Sequence, residues 1–383
     1  MGKGRFYCGL LATALFAGLA SPAVGQSPPE PVAPTPIRPP PSNSAPLPPA
    51  AVASEVAPPP QAFPTAEAPA NAVPSSAIAS PGGPGDWFNP VVGQVPYRAD
   101  FRVLDFPDEP VRGQPTNLGY VQSDLGVTLP VWQDAPDEWA ATLRIRSEFF
   151  HTSAILPDTG QPFPQELWDV RFGTTFRHLF DNGWIAGGGV SFGSASDRPF
   201  SNFNVLTLGA NVFLRVPEGE HNAWLFTLSY SPTSELPFPI PGVAFVWQPS
   251  DCFRMNIGLP FQVWYRPTDE LTLELSYMLL RTVHARATYR FCPAVAVFGG
   301  YDWEDEGYFL ADRPDTNDRF YYYDMRLSGG LQIFFGHGAT LDFSGGYVFD
   351  RFYFEGRSFS NNGFNRVDVG NGPYANVRFA IRF

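Results

Sequence analysis

Arginine and carboxylate side chains alternate with apolar ones along much of this sequence. Arg144, Arg146 and Glu148 interleave with Leu143, Ile145 and Phe149. His284, Arg286 and Arg290 interleave with Val283, Ala285, Ala287, Tyr289 and Phe291, and Arg378 and Arg382 with Val377, Phe379, Ile381 and Phe383. In an extended chain, side chains two residues apart stand on one face, so each segment has a charged side and an apolar side. Arg171, Arg177, Glu274 and Arg326 fall on the polar faces of their own segments. The chemistry open to such a wall is ion pairing and the attraction or repulsion of small charged solutes. With Arg215 added, the arginines are nearly balanced by Asp124, Glu148, Asp169, Glu270, Glu274, Asp302, Asp324 and Asp342. That balance predicts weak ion selectivity, with Arg286 and Arg290 as the positions whose reversal to Glu would shift it toward cations.

Bond-making chemistry finds less support. His151, His178, His221, His284 and His337 are scattered without metal-ligand spacing. His284 shares its face with Arg286 and Arg290, and no carboxylate on its own segment could orient it as a base. The densest acidic run, Asp302 to Glu306 followed by Asp312, Asp315 and Asp318, lacks the glycine and spacing of an EF-hand and reads as a solvated loop. The glycine pairs at 299–300, 329–330 and 345–346 read as places where strands bend or bulge. No catalytic residue, metal or cofactor is expected.

The elements that must position these residues are strands, because a period of two excludes helix. Further segments, such as Leu206 to Arg215 and Leu271 to Tyr277, repeat the alternation, and their length of about 10 residues suits a tilted crossing of a bilayer better than a soluble sandwich. Trp132, Trp139, Trp168, Trp184, Trp224, Trp247 and Trp303 fall at segment ends, where membrane barrels carry aromatic girdles. No apolar run beyond the N-terminus is long enough for a transmembrane helix, so a membrane-embedded form must be a closed barrel. The expected fold is all-β: an antiparallel transmembrane barrel of about 12–14 strands over residues 90–383. One of its strands is read across 253–265, with its topology around Pro260 left open.

Lys3 and Arg5 precede an apolar run and small residues at Ala23 and Gly25, so residues 1–25 read as a secretory signal peptide. Prolines crowd the next stretch, 19 of 42 between Ser27 and Gly85, and residues 26–89 read as a disordered periplasmic tether. Composition names no peptidoglycan or periplasmic partner for that tether. A net charge of -12 argues against nucleic acid. Cys252 and Cys292 would meet an oxidising compartment, but they lie at turns several strands apart, so two free thiols are expected.

The ending Tyr374 to Phe383 resembles the C-terminal signature of bacterial outer-membrane barrels, which implies recognition of Phe379, Ile381 and Phe383 by the barrel assembly machinery. The run Asn256-Ile-Gly-Leu-Pro-Phe-Gln-Val-Trp-Tyr-Arg-Pro267, with Leu271 to Tyr277, Tyr308 to Pro314, Asp318 to Tyr321, Gly345 to Arg351 and Tyr353 to Gly356, resembles a bacterial domain-of-unknown-function family of outer-membrane-type β-barrels. That resemblance implies fold and location and brings no activity. The combined expectation is an outer-membrane barrel in contact with lipid, acting as a porin-like channel or transporter for small hydrophilic solutes. The alternative is a plugged structural or interaction barrel displaying loops around 195–204, 304–320 and 355–372, and the third reading is a barrel-embedded hydrolase.

Overall fold

The computed structural model describes residues 91–383 apart from positions 235, 237, 279–281, 314, 316, 337 and 359–361. The readings of residues 1–25 and 26–89, and His337, lie outside the described residues.

Alternation along the chain builds one antiparallel sheet of seventeen strands. These are β1 (Arg98–Pro110), β2 (Asn117–Gln133), β3 (Asp137–Thr152), β4 (Glu166–Leu179), β5 (Ile185–Ser196), β6 (Leu206–Glu218), β7 (Asn222–Tyr230), β8 (Ile240–Ser250), β9 (Phe253–Gly258), β10 (Phe261–Tyr265), β11 (Leu271–Met278), β12 (Thr282–Cys292), β13 (Val295–Tyr308), β14 (Arg319–Phe334), β15 (Ala339–Gly356), β16 (Val367–Val369) and β17 (Gly372–Arg382). Each strand from β1 to β15 pairs with the next, β15 pairs with β17, and β17 returns to β1 with Arg98 opposite Arg382 and Asp105 opposite Ala375. Closure removes every free sheet edge. The short β16 precedes β17 in the same gap of the ring, pairing with Arg351–Tyr353 of β15 on one edge and bonding to residues 110–112, at and just after the end of β1, on the other.

Sixteen strands therefore close the barrel, more than the 12–14 expected. Two places account for the excess. The stretch 253–265 is a hairpin, β9 and β10, turning at Leu259–Pro260, because proline has no N–H to continue a ladder. The other is β1, whose pattern runs in reverse near its end: Leu104 and Phe106 are buried in the interior while Asp105 is exposed outside.

The outer wall is apolar. Phe172, Phe192, Leu208, Phe343, Val377 and Phe379 are all exposed, the last two at 43% each. A surface this greasy needs a bilayer rather than water around it. The two ends of the barrel differ. At one end short turns join the strands (134–136, 219–221, 251–252, 293–294), and there Trp132, Trp139, Trp184, Trp224 and Trp247 form an exposed aromatic girdle. Trp168 and Trp303 lie toward the other end, where the long connections 153–165, 197–205, 309–318 and 357–371 gather. These are the turn end and the loop end.

The glycine pairs do not bulge. Gly299 faces Gly329, and Gly329 faces Gly345, in unbroken register. Three of the register shifts fall instead at proline-containing steps, Phe106 to Glu109, Pro130 to Trp132 and Trp247 to Ser250, where the ladder loses a donor. Another, in β14 opposite β15, lies beside Asp350, which has a positive φ of 53°. Of the cysteines, Cys252 is exposed and free. Cys292 is disulfide-bonded, so the expectation of two free thiols holds for Cys252 alone.

The interior is filled most heavily on one side. Phe106, Tyr120, Phe150, Phe163, Phe320, Tyr322 and Tyr353 pack into an aromatic core inside the loop-end half of β1–β3 and β14–β15. Phe106 stacks on Tyr120 with ring centroids 4.3 Å apart, and the Tyr120 and Tyr322 hydroxyls meet across the interior at 2.6 Å. Asn365, fully buried, roofs this core: its Oδ1 accepts from the backbone N–H groups of Asp158 (3.0 Å) and Thr159 (3.1 Å), and its Nδ2 donates to Glu355 (2.6 Å). The chain leaving β13 then crosses the mouth to β5, where Phe309 N donates to Ala195 O and Ala311 N to Asp197 Oδ1, both at 2.8 Å.

Candidate functional site: the lumen

The charged residues of the filled side form a ladder across neighbouring strands. Arg102, Asp124, Arg146 and Asp169 face one another in turn across β1 to β4. Asp124 accepts from Arg102 at 2.9 Å and Arg146 at 2.5 Å, with Arg144 at 4.0 Å. Arg146 also spans the interior to Glu306 of β13, and the Tyr308 hydroxyl donates to Glu148 at 3.1 Å. Arg326 binds Asp324 (2.7 Å) and Glu304 (3.3 Å) with its guanidinium 5.0 Å from the Phe106 ring. Arg378 binds Asp100 at 2.6 Å. Nearly every charge here is buried and matched, the arrangement that makes buried ions tolerable.

The acidic run 302–306 is thus part of β13 rather than a loop, with Asp302, Glu304 and Glu306 turned inward. The sequence hides this, because the usual apolar partners of an alternating strand are missing there. The loop carboxylates beyond it are paired as well: Asp312 with Arg198 at 2.7 Å, and Asp315 with Arg357 at 2.6 Å. His284 is oriented after all, by Asp302 of the adjacent strand at 2.8 Å. Arg286 lies 3.6 Å over the Phe298 ring and 3.6 Å from Asp342, and Arg290 lies 4.3 Å over Phe334. Glu274 stands opposite Arg286, and Arg382 opposite Arg98 at the turn end. Glu270 sits exposed in the β10–β11 turn. Phe379, Ile381 and Phe383 alternate outward, and Phe383 exchanges backbone hydrogen bonds with Tyr97 (2.8 and 3.1 Å).

The other side of the lumen is open. A cavity of about 350 Å³ lies along the inner faces of β3 to β8 and reaches the loop end at Ser231, Ser234 and Pro260. Its wall mixes small and polar residues, Thr142, Thr175, Ser191, Asn211, Thr227 and Ser229 with several glycines, with apolar ones at Val190, Tyr230, Ile240, Leu259 and Met278, and has Arg144 and Arg171 at one side. A second space of about 230 Å³ shares Arg144, Arg171, Ser231 and Ser234 with it and adds Asp169, Asp305 and Glu306. Arg286 and Arg290 line neither space. Sequence reading followed charge: it named Arg144 and Arg171, which line the cavity, and missed the uncharged residues of the wall. The available signal was the row of Gly, Ser and Thr at the inward positions of consecutive strands, which leaves the wall thin.

Residues 91–96 run under this cavity. Val92 is buried among Ile185, Phe213, Ala223, Leu225, Ala244 and Val246, the inward residues of β5 to β8 at the turn end. Arg177, itself paired with Glu138 at 3.0 Å, donates to the Val91 carbonyl at 3.0 Å, and Gly93 N donates to Glu138 Oε2 at 2.7 Å. Gly93 has φ +84°, and a Cβ there would come within 3.0 Å of Asp134 O, so glycine is required. A pocket of about 60 Å³ between strap and cavity shares Thr175 and Asn211 with the space above. The strap narrows the passage at the turn end.

No family model matches the chain, and no curated protein matches it. Among solved structures, it is similar to an outer membrane channel from Pseudomonas putida F1 (11% identity, covering 78% of this chain and 99% of that one, TM-score 0.35). It is similar too to the β domain of the Bordetella autotransporter BrkA (11% identity, 76% and 100% covered, TM-score 0.30). A third likeness is to a deletion mutant of the monoaromatic hydrocarbon channel TodX (8% identity, 80% and 94% covered, TM-score 0.37). Likeness at this level carries no statement about solute or activity.

Proposed function

We propose that this chain is an outer-membrane channel of narrow bore for small hydrophilic solutes. One observation carries the reading: a cavity of about 350 Å³, walled by Gly, Ser and Thr with two arginines and an apolar rim, lies inside a closed barrel whose outer face is apolar, beside a more densely filled part of the lumen. A ring of sixteen strands left empty would be wide. Here the aromatic core and the strap reduce it to an off-centre passage. With short turns on the periplasmic side and long loops outside, the strap faces the periplasm. In this reading residues 1–25 serve export and residues 26–89 form a periplasmic tether, while Phe379, Ile381 and Phe383 engage the assembly machinery and then the lipid. Membership in the family of unknown function suggested by Asn256–Pro267 and the other motifs belongs to the same proposal.

The second reading, a barrel that displays its loops and conducts nothing, is favoured by the strap and the filled half. Conductance of the refolded protein in a planar bilayer separates the two. The channel reading expects small, discrete current steps, and a preparation shown to be folded yet electrically silent would refute it.

A further inference from the structure

The 350 Å³ cavity has a one-sided charge. Among the described residues lining it, the only ionic groups are the guanidiniums of Arg144 and Arg171. Their carboxylate partners stand behind them: the Asp124 and Asp169 side chains are 1% and 6% exposed, whereas those of Arg144 and Arg171 are 14% and 30% exposed. Among these described groups, the guanidiniums are thus more exposed than the carboxylates they pair with. The two arginines also face each other directly in register across β3 and β4, with Asp124 and Asp169 as nearby carboxylates, so two guanidiniums stand side by side at one edge of the cavity. Arg171 gives its Nε to Asp169 at 2.7 Å, while its two terminal nitrogens have no hydrogen-bond partner among the described residues.

The rest of the wall suits a hydroxylated molecule. Thr142, Thr175, Ser191, Thr227 and Ser229 offer hydroxyls, and Asn211 Oδ1 is buried without a hydrogen-bond partner, ready to accept from a ligand O–H. The volume equals about twelve waters at roughly 30 Å³ each, enough for a molecule of six carbons. Planar guanidiniums match a carboxylate in two-point contact better than they match a spherical ion. We infer that this cavity is a binding site for small hydroxylated carboxylates such as sugar acids, with Arg171 gripping the carboxylate and the Thr, Ser and Asn211 wall receiving the hydroxyls.

The inference rests on the channel reading, and its test keeps the two apart. Gluconate, glucose and inorganic phosphate are added in turn to the full-length protein in a bilayer, and block of the chloride-salt current is measured. Gluconate should block saturably, at concentrations at least about tenfold below glucose and phosphate. Arg171→Gln should weaken that block at least about tenfold, Arg171→Lys should weaken it less, and Arg357→Gln, in a surface loop, should leave it unchanged. Equal block by gluconate and glucose, or an unaltered Arg171→Gln, overturns the site, and preferential block by phosphate reassigns it to inorganic anions and overturns the carboxylate assignment. Should the wild type conduct nothing, the channel reading fails by itself. Calorimetric binding of gluconate to the folded protein in detergent then decides: binding lost in Arg171→Gln upholds the site, and no binding overturns it.

Discussion

Replacing Val92 by serine should loosen the strap without touching the barrel wall. Val92 is 7% exposed, and its two methyl groups fill a space between Phe213, Leu225 and Val246. Burying a valine side chain is worth about 1.5–3 kcal/mol, and a serine there would also bury a hydroxyl in apolar surroundings. The Arg177 and Glu138 bonds to the strap backbone do not depend on the side chain at 92, so they persist in the docked form. A net loss of about 2 kcal/mol is a factor of about 30 in the docking equilibrium. A strap docked about 99 parts in 100 would fall to about 3 parts in 4. Single-channel recording should show this as a higher open probability, with shorter closures and an unchanged thermal midpoint of the barrel. Hydrogen exchange at 91–96 should accelerate in parallel. Unchanged closures together with unchanged exchange would refute the strap as a gate. Faster exchange with unchanged current would mean that the passage runs beside the strap and not through its site.

Three other outcomes follow from the same geometry. Replacing Phe379 and Phe383 by serine removes two outward aromatics from the closing strand, and outer-membrane fractions should lack the folded protein; normal folded levels would contradict the lipid-facing assignment. Asn365→Ala deletes three acceptor contacts and the bond to Glu355, all in a fully buried setting at φ 51°; a loss of about 2–4 kcal/mol is expected in thermal or denaturant unfolding, with Asn365→Gly less harmful through its tolerance of positive φ. In the exposed β13–β14 loop, hydrogen bonding from Arg357 holds the Asp315 carboxyl below the ordinary carboxylate range. That ordering is present above the unfolded-state pKa and is lost as pH falls, so limited proteolysis of 309–318 should quicken on acidification in the wild type and be fast at all pH values in Arg357→Ala.

The faces of most strands were legible because lipid and lumen impose opposite demands on neighbouring residues. Arg378 points in and Phe379 points out for a reason visible in either residue alone. What the sequence could not disclose was how one wall meets another. Arg146 finds Glu306, and Tyr120 finds Tyr322, only once the ring has closed and its loop-end half has collapsed on itself. Where that collapse creates a core, the local rule inverts: Leu104 and Phe106 face inward and Asp105 outward, which is why β1 escaped notice. His284 shows the same limit in miniature, since the carboxylate that orients it belongs to the next strand. The strap was hidden for another reason. Val91 to Pro96 has neither period nor charge, and its importance comes wholly from the apolar inner faces of β5 to β8 that it covers.

The two halves of the lumen divide the work between them. Carboxylates and arginines crowd the filled side in matched pairs, so their fields largely cancel at any point more than a few ångströms away. Among the described residues the open side has few charges, and its ionic groups gather at the seam between the halves, where Arg144 and Arg171 stand beside Asp169, Asp305 and Glu306. Counting charges around the whole ring therefore predicts weak selectivity, whereas the geometry gathers the cavity-lining charges around Arg144 and Arg171. Arg286 and Arg290, stacked on Phe298 and Phe334 and lining neither cavity, are poor levers by comparison. A barrel of this circumference can be selective because its packing, rather than its strand number, sets the bore.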